Sequence, residues 1–357
     1  MIKYLGSKRL LISSILGIIF EISADGSVLD LFSGTSRVGH ALKSKGYKVL
    51  SNDHNAYSAN LARCYVQADR EDHLHEVELL VREFNTLAGT YGYFTQTFCE
   101  QSRFFQPKNG ARVDAIREEI VNKSLDPELE AIMLTSLMEA ADRVDSTTGI
   151  QMAYLKSWAS RSFNDLELRI PKILHRAQSG KSRAYQLDAS DASRILDANI
   201  AYLDPPYNQH KYLGNYHIWE SLVLWDKPEV YGVARKRIDC KDRKSVFNSK
   251  PRAAKALSTL IQNLKSNHVI VSFNNEGYIS SEKIEEMLYS KYRYIFVFTH
   301  KFRRYVGAQI GIHDHKGDRV GKVSHLRNLE YIYVATSDTK VAQKIEHLPD
   351  IQKLKRE

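Results

Sequence analysis

Asp204-Pro205-Pro206-Tyr207 is the tetrapeptide with the most chemistry in this sequence. Its two prolines fix the backbone and supply no N–H, so the carbonyls of the turn point outward as free acceptors. A carboxylate and a carbonyl held side by side match the two hydrogens of a planar aromatic amine. Such an amine is a poor nucleophile because its lone pair is delocalised into the ring. Two acceptors at suitable angles favour the pyramidal form and aim the lone pair at an electrophile. Tyr207 adds a ring on which a base turned out of a duplex can stack. Taken alone, the tetrapeptide also suits a rigid strand-end turn.

A second constellation lies near the start of the chain. Asp30-Leu31-Phe32-Ser33-Gly34-Thr35-Ser36 follows an apolar run, and its small residues let a ligand approach the backbone and the next helix N-terminus. The full G-x-G-x-x-G is absent, with Ser36 where a second glycine would stand. Asp53 ends the following strand, about 20 residues on, where an acidic residue commonly accepts hydrogen bonds from ribose hydroxyls. In this order the three features describe a nucleoside-binding site.

The elements that must position these residues read as a nucleotide-binding α/β unit: strand 27–32, helix 38–45 and strand 48–51. Strand signals return at 182–187, at 200–203 just before Asp204, and at 268–273, 294–299 and 329–335. The last two suit an antiparallel pair at a sheet edge. Between residues 60 and 179 the pattern is helical, with helices expected at 73–86, 114–123 and 127–141, the last with Asp126 as N-cap and Pro127 in the first turn. The expected fold is a Rossmann-like, seven-stranded, mixed and mostly parallel sheet interrupted by a mainly helical insert. The catalytic domain comprises 1–58 and 181–340, the insert 59–180, and a basic segment, 226–256, lies within the catalytic domain.

The 357 residues carry a formal charge of +9, and the excess is local. Residues 226–255 hold ten Lys and Arg against four Asp and Glu, whereas 59–180 hold 14 against 18. A polyanionic partner would meet the first stretch. The 20 Tyr and 13 Phe fill a core and leave rings for stacking on bases. Cys64, Cys99 and Cys240 lack metal-ligand spacing, as do the histidines, His313-Asp314-His315 included, so no metal is expected and a reducing, cytoplasmic setting is. The apolar run 10–20 after Lys3, Lys8 and Arg9 looks like a leader, but it is too short to span a bilayer and has the period of a core helix. No membrane partner is expected.

Tyr4-Leu5-Gly6-Ser7-Lys8, the Phe32–Gly34 turn, Asn52-Asp53 and Asp204–Tyr207 together resemble the ordered motifs of the Dam-like N6-adenine DNA methyltransferases in the α arrangement. Residues 202–225 and 138–155 are similar to the methyltransferases that accompany type IIS restriction systems, the FokI modification enzyme among them. The resemblance covers nearly all of 1–335. It implies S-adenosylmethionine as cofactor, contacted by Tyr4 and Lys8, with Phe32, Ser33 and Gly34 beneath its methionine part. Asp53 would take its ribose, Asp188 would lie near its adenine, and Asp204 would serve both cofactor and target. Ser272-Phe273-Asn274 matches the next strand-end segment. Tyr4 stands where Trp is often found.

On this reading the chain methylates N6 of a flipped adenine in double-stranded DNA within a restriction-modification system. Asp204, Pro205, Pro206 and Tyr207 would be catalytic, and a cognate restriction endonuclease would act on the same site. A monomer associated with a bacterial or phage nucleoid is expected. Expected DNA contacts are Arg103, Lys108, Arg112 and Arg143 from the insert, Asn208 and Lys211 after the catalytic turn, and Arg235, Lys236, Arg237 and Lys244 from the basic segment. Asn109, Asp145 and Arg303-Arg304-Tyr305 are further candidates. The rival readings are an RNA base methyltransferase, N4-cytosine methylation, a DNA-binding module without catalysis and, least supported, a nicotinamide-dependent dehydrogenase.

Overall fold

The apolar runs that end at Asp30, Asn52 and Leu203 are buried almost throughout, as strands covered by helices on both faces must be. The computed structural model describes residues 1–6, 8–303, 312–313, 319–321, 327–349 and 351–353. Its main sheet contains β1 (Ser27–Asp30), β2 (Lys48–Asn52), β3 (Arg183–Tyr185), β4 (Ile200–Leu203), β5 (His268–Asn274), β6 (Tyr294–Arg303), β7 (Arg327–Thr336) and β8 (Ile351–Lys353). The strand order is β8-β6-β7-β5-β4-β1-β2-β3. Strands β3, β2, β1, β4 and β5 are mutually parallel, with Val28 opposite both Val49 and Ile200. Strand β7 is antiparallel to β5 and β6.

The seven expected strands form the mixed sheet, and β8 adds an eighth beyond β6. The antiparallel pair β6–β7 therefore does not end the sheet. Strand β1 stops at Asp30, two residues short of the expected end: the Leu31 N–H still donates to Tyr202 of β4 at 3.2 Å, but the Ser33 N–H already donates to Asn52 of β2 at 2.9 Å. The order reverses at β1, which has β4 on one side and β2 on the other. In open α/β sheets ligands bind in the crevice at the carboxyl ends of such neighbours.

Helix Ile12–Ile22 buries Ile15, Ile18, Ile19 and Ile22 in the core and leaves Phe20 on its outer side, so the run 10–20 forms an amphipathic core helix with one buried face. Among the described residues no helix is long and apolar enough to cross a membrane. The insert contains helices Arg70–Thr86, Pro107–Lys123 and Pro127–Arg143. In the last, Asp126 accepts from the Glu128 and Leu129 N–H groups as an N-cap. The second starts at Pro107, seven residues before the expected 114, although Asn109 and Gly110 are poor helix formers. Both are buried there, and packing outweighs their propensity. One apolar cluster joins Ile19, Val28 and Val49 to Phe84, Ile116, Ile132 and Trp219, so the core runs unbroken from sheet to insert.

Candidate active site

The carboxyl ends of β1, β2 and β4 open onto a cleft of about 180 Å3. It is lined by Phe32, Ser33 and Gly34 after β1, Asp53 after β2, Asp188 after β3 and Asp204 after β4. Tyr4 and Lys8 line it from the N-terminal segment. Five segments far apart in sequence thus meet in one place.

The loop after β1 is tied to β2 by its backbone. The Gly34 N–H donates to Asp53 Oδ2 at 2.9 Å, and the Asn55 N–H donates to Asp53 Oδ1 at 3.0 Å. Gly34 has φ +51°, a conformation that favours glycine, and a Cβ there would meet the Tyr4 ring at 3.5 Å. Ser36 adopts φ +60° without being glycine, at the N-cap of helix Arg37–Ser44. Gly39 in that helix lets the backbone approach the sheet, since a Cβ would lie 2.9 Å from Ser51 Oγ. Asn52 stitches the strand ends together: its amide donates to the carbonyls of Leu31 and Leu187, and its oxygen accepts the Leu187 N–H at 3.0 Å. Asp188 uses Oδ1 to accept the Ser190 N–H at 2.8 Å and caps the short helix Ala189–Ile195.

Asp204 emerges from β4 with 18% of its side chain exposed, and Lys8 Nζ lies 3.1 Å from its Oδ1. Lys8 is buried and also contacts the buried Glu330 of β7. Burial pushes the Asp204 carboxyl up to about 6; Lys8 opposes that rise and Glu330 adds to it. Burial alone would lower the Lys8 ammonium, but Asp204 and Glu330 hold it well above its ordinary value. Asp30, at the end of β1, is raised to about 7 by burial and then by the charge of Asp204, against the Gly39 N–H. Burial also lifts Asp53, while its two backbone donors pull it back. Among the described residues no hydrogen bond reaches the carbonyls of Pro205 and Pro206, while the Tyr207 carbonyl accepts the Tyr278 N–H at 2.8 Å. The Tyr207 ring lies edge-on to Phe273 at 6.0 Å.

Several residues of this site have no local signal in the sequence. Tyr4 is stacked between Tyr212 (5.3 Å, 10° between planes) and Tyr216 (4.6 Å, 15°), which fastens the N-terminal segment to the chain after the Asp204–Tyr207 turn. Residues 243–248 of the basic segment fold across the cleft. Arg243 reaches the fully buried Glu220 at 2.8 Å, and Glu220 also accepts the Ala56 and Tyr57 N–H groups that open the helix after Asp53. Phe247 packs edge-on against Phe32 at 5.2 Å. Asn248 donates to the carbonyls of Asn208 (2.7 Å) and His210 (3.1 Å). The strap therefore touches both the loop after β1 and the loop after the Asp204–Tyr207 turn.

The basic residues singled out from sequence divide by environment. Lys211 and Lys244 stand exposed at the rim of the cleft. Arg237 is 3% exposed and its guanidinium is spent on Asp226 and Asp239, which leaves it no donor for a phosphate. Arg112 donates to the carbonyls of Phe84, Asn85 and Leu87 and closes the end of the preceding helix. Arg103 donates to the Lys156 carbonyl over the Trp158 ring, Lys108 pairs with Asp165, Arg143 donates to the Glu167 carbonyl and Arg235 to that of Gln101. Lys236 is partly buried in a two-stranded ribbon, and Asn208 accepts the His210 N–H within its own turn. Asn109 and Asp145 are buried among structural partners, Asp145 with Lys3 and Arg161. Ser7, Arg304, Tyr305, Asp314 and His315 lie outside the described residues. Asp72, His73 and Glu128 bring ligand atoms within 4.8 Å of one another, but the Lys181 ammonium already lies 2.9 Å from Glu128.

Comparison with known proteins agrees with this geometry. The modification methylase StsI of Streptococcus sanguinis is 33% identical over 303 residues, 80% of this chain and 46% of the relative. The type II methyltransferase M.FokI of Planomicrobium okeanokoites is 33% identical over 307 residues, 81% of this chain and 47% of the relative. The type II methyltransferase M.NlaIII of Neisseria lactamica is 29% identical over 338 residues, covering 90% and 98%. The chain thus spans about half the length of the first two and nearly all of the third. The profile of the D12 class N6 adenine-specific DNA methyltransferases matches residues 4–287, from Tyr4 through the cleft and the insert to the helix after β5. The resemblance carried by the N-terminal, Asp53 and Asp204 motifs is borne out, and the chain belongs to the D12 class N6 adenine-specific DNA methyltransferases.

Proposed function

We propose that the chain transfers a methyl group from S-adenosylmethionine to N6 of an adenine flipped out of duplex DNA, as the modification partner of a restriction endonuclease and as a monomer. The observation that carries the reading is the meeting of Asp204 with Asp53 and the Ser33–Gly34 turn in one cleft at the switch point of the sheet. The cleft fits the cofactor. Ser33 Oγ is buried and has no partner, and Asp53 presents a carboxylate with lone pairs to spare after its two backbone donors. Phe32, Ser33 and Gly34 would hold its amino-acid part, Asp53 its ribose, and Asp188 would face its base. When bound, it supplies a methyl group on a positive sulfur, which departs as a neutral thioether.

The residues of the chain do the rest. Asp204 and a carbonyl of the proline turn accept the two amine hydrogens and turn the nitrogen lone pair toward the methyl group. Tyr207 stacks on the base. After transfer, the nitrogen sheds one proton to Asp204 or to water. Asp204 must be ionised to accept those hydrogens. With its carboxyl held up to about 6, kcat is expected to fall as pH drops through about 6 and to level off above it. A kcat that stays flat down to about pH 5 would remove the ionised acceptor from the mechanism.

Lys211 and Lys244 are proposed to meet phosphates at the rim of the cleft. Each phosphate contact contributes about 0.9 to the slope of log affinity against log salt, so the double variant Lys211→Ala, Lys244→Ala should lower that slope by about 2. An unchanged slope assigns the phosphate contacts elsewhere. The reading as a whole is tested with methyl-labelled cofactor on duplex DNA and on ribosomal RNA, with the product base identified after digestion. N6-methyladenine in DNA is expected. Label in RNA alone or in cytosine overturns the reading, and so does failure to bind cofactor.

A further inference from the structure

Strand β7 enters the sheet against the direction of β5, so its early residues lie beside the carboxyl end of β5, where the parallel strands deliver the cleft. Glu330 occupies that place, opposite Asn274 in register and 7% exposed. It does not line the cleft; it contacts the Lys8 ammonium, which also lies 3.1 Å from the cleft-lining Asp204. Ser272 Oγ donates to Glu330 Oε1 at 3.2 Å, and Asn274 Nδ2 approaches Oε2 at 3.5 Å. The carboxylate is therefore tethered at both oxygens to the neighbouring strand. The corner contains two carboxylates and one ammonium, and the ammonium is shared between Glu330 and Asp204.

We infer that Glu330 is a positioning residue for methyl transfer: it draws the Lys8 ammonium toward β7 and leaves the Asp204 carboxylate available to the target amine. The inference rests on the reading proposed above. A buried ammonium paired with Asp204 alone would form a closed ion pair and occupy the lone pairs that the amine needs. With Glu330 sharing the ammonium, two carboxylates face one cation, and of the two it is Asp204 that lines the cleft. The other groups facing the corner are Asp30 from β1, Tyr202 from β4, Tyr207 after the turn and Tyr212 from the helix beyond it. All of them remain when Glu330 is changed, so a shift in the corner reports on Glu330.

The test compares wild type, Glu330→Gln and Glu330→Asp in full-length protein, by kcat against pH, KM for cofactor and DNA, and thermal melting. Glu330→Gln keeps the shape and an acceptor for Ser272 but removes the charge. Its kcat is expected to fall at least about 10-fold, with both KM values within about threefold. Its acidic limb should move down by about one pH unit, because Lys8 then belongs to Asp204 alone. Glu330→Asp should return the limb to the wild-type position and recover part of the rate. A residue that merely supports the fold would lower melting temperature without moving the limb. Loss of rate with an unmoved limb, wild-type turnover in Glu330→Gln, or failure of both variants to fold overturns the inference. A wild-type protein that methylates no DNA overturns the underlying reading, which separates the two failures.

Discussion

Asp204→Ala should reduce methyl transfer to DNA by about 1000-fold or more while leaving DNA affinity within about threefold of wild type. Removing one preorganised group from a developing charge typically costs about 3–4 kcal/mol, or two to three powers of ten. Here the loss is compounded, because the Lys8 ammonium then faces the cleft with its charge directed where the amine nitrogen becomes positive. Affinity should hold because the exposed cations at the rim, Lys211 and Lys244, are unchanged by the substitution. Folding should hold as well, since Lys8 retains Glu330 and is not left as an unpaired buried charge. Asp204→Asn separates charge from shape. It preserves an oxygen acceptor but adds a donor amide that competes for the amine lone pair, so it too should be nearly inactive. The measurement is initial rate with labelled cofactor beside fluorescence anisotropy on the same duplex. Turnover near wild type in either variant would exclude Asp204 as the acceptor.

The Asp204 turn is legible in sequence because its geometry is local. Two prolines after an apolar strand set the backbone whatever surrounds it. Asp53 and the Phe32–Gly34 turn are nearly as legible, since strand, small-residue loop and acidic strand end follow one another within one α/β unit. Glu330 is not legible. It reaches Lys8 across 322 residues of chain, and its position depends on β7 entering between β5 and β6 in reverse, which no short window records. Charge is misleading for a related reason: a sequence counts charges and not their partners. Arg237 reads as one cation in a basic run, but Asp226 and Asp239 from the same run consume it. Arg243 is drawn inward by Glu220, a carboxylate already committed to two backbone N–H groups. The segment expected to face DNA consequently serves the cleft with its middle and leaves Lys244 at the rim. Tyr4 likewise reads as a cofactor contact, whereas the fold also makes it the middle ring of a three-tyrosine stack.

Asp53→Ala carries the second large effect, and it should fall on cofactor affinity rather than on the chemical step. The carboxylate has about four lone-pair sites. Two are taken by the Gly34 and Asn55 N–H groups, which fix its orientation, and two are left for neighbouring hydroxyls of a ribose. Hydrogen bonds to an ionised acceptor contribute about 1.5–3 kcal/mol each. Losing two should weaken S-adenosylmethionine binding by at least about 100-fold. The same change frees the Gly34 N–H and slackens a turn held at φ +51°, so the floor beneath the amino-acid part loosens as well. At saturating cofactor kcat should fall by less than about tenfold, because Asp204, Lys8 and Glu330 are untouched. Asp53→Asn should be intermediate, since its amide oxygen can still accept from one of the two backbone donors. Titration calorimetry with cofactor alone reads this without any turnover. A dissociation constant within about threefold of wild type would place the ribose elsewhere, and Asp53 would then serve only to pin the Gly34 turn to the end of β2.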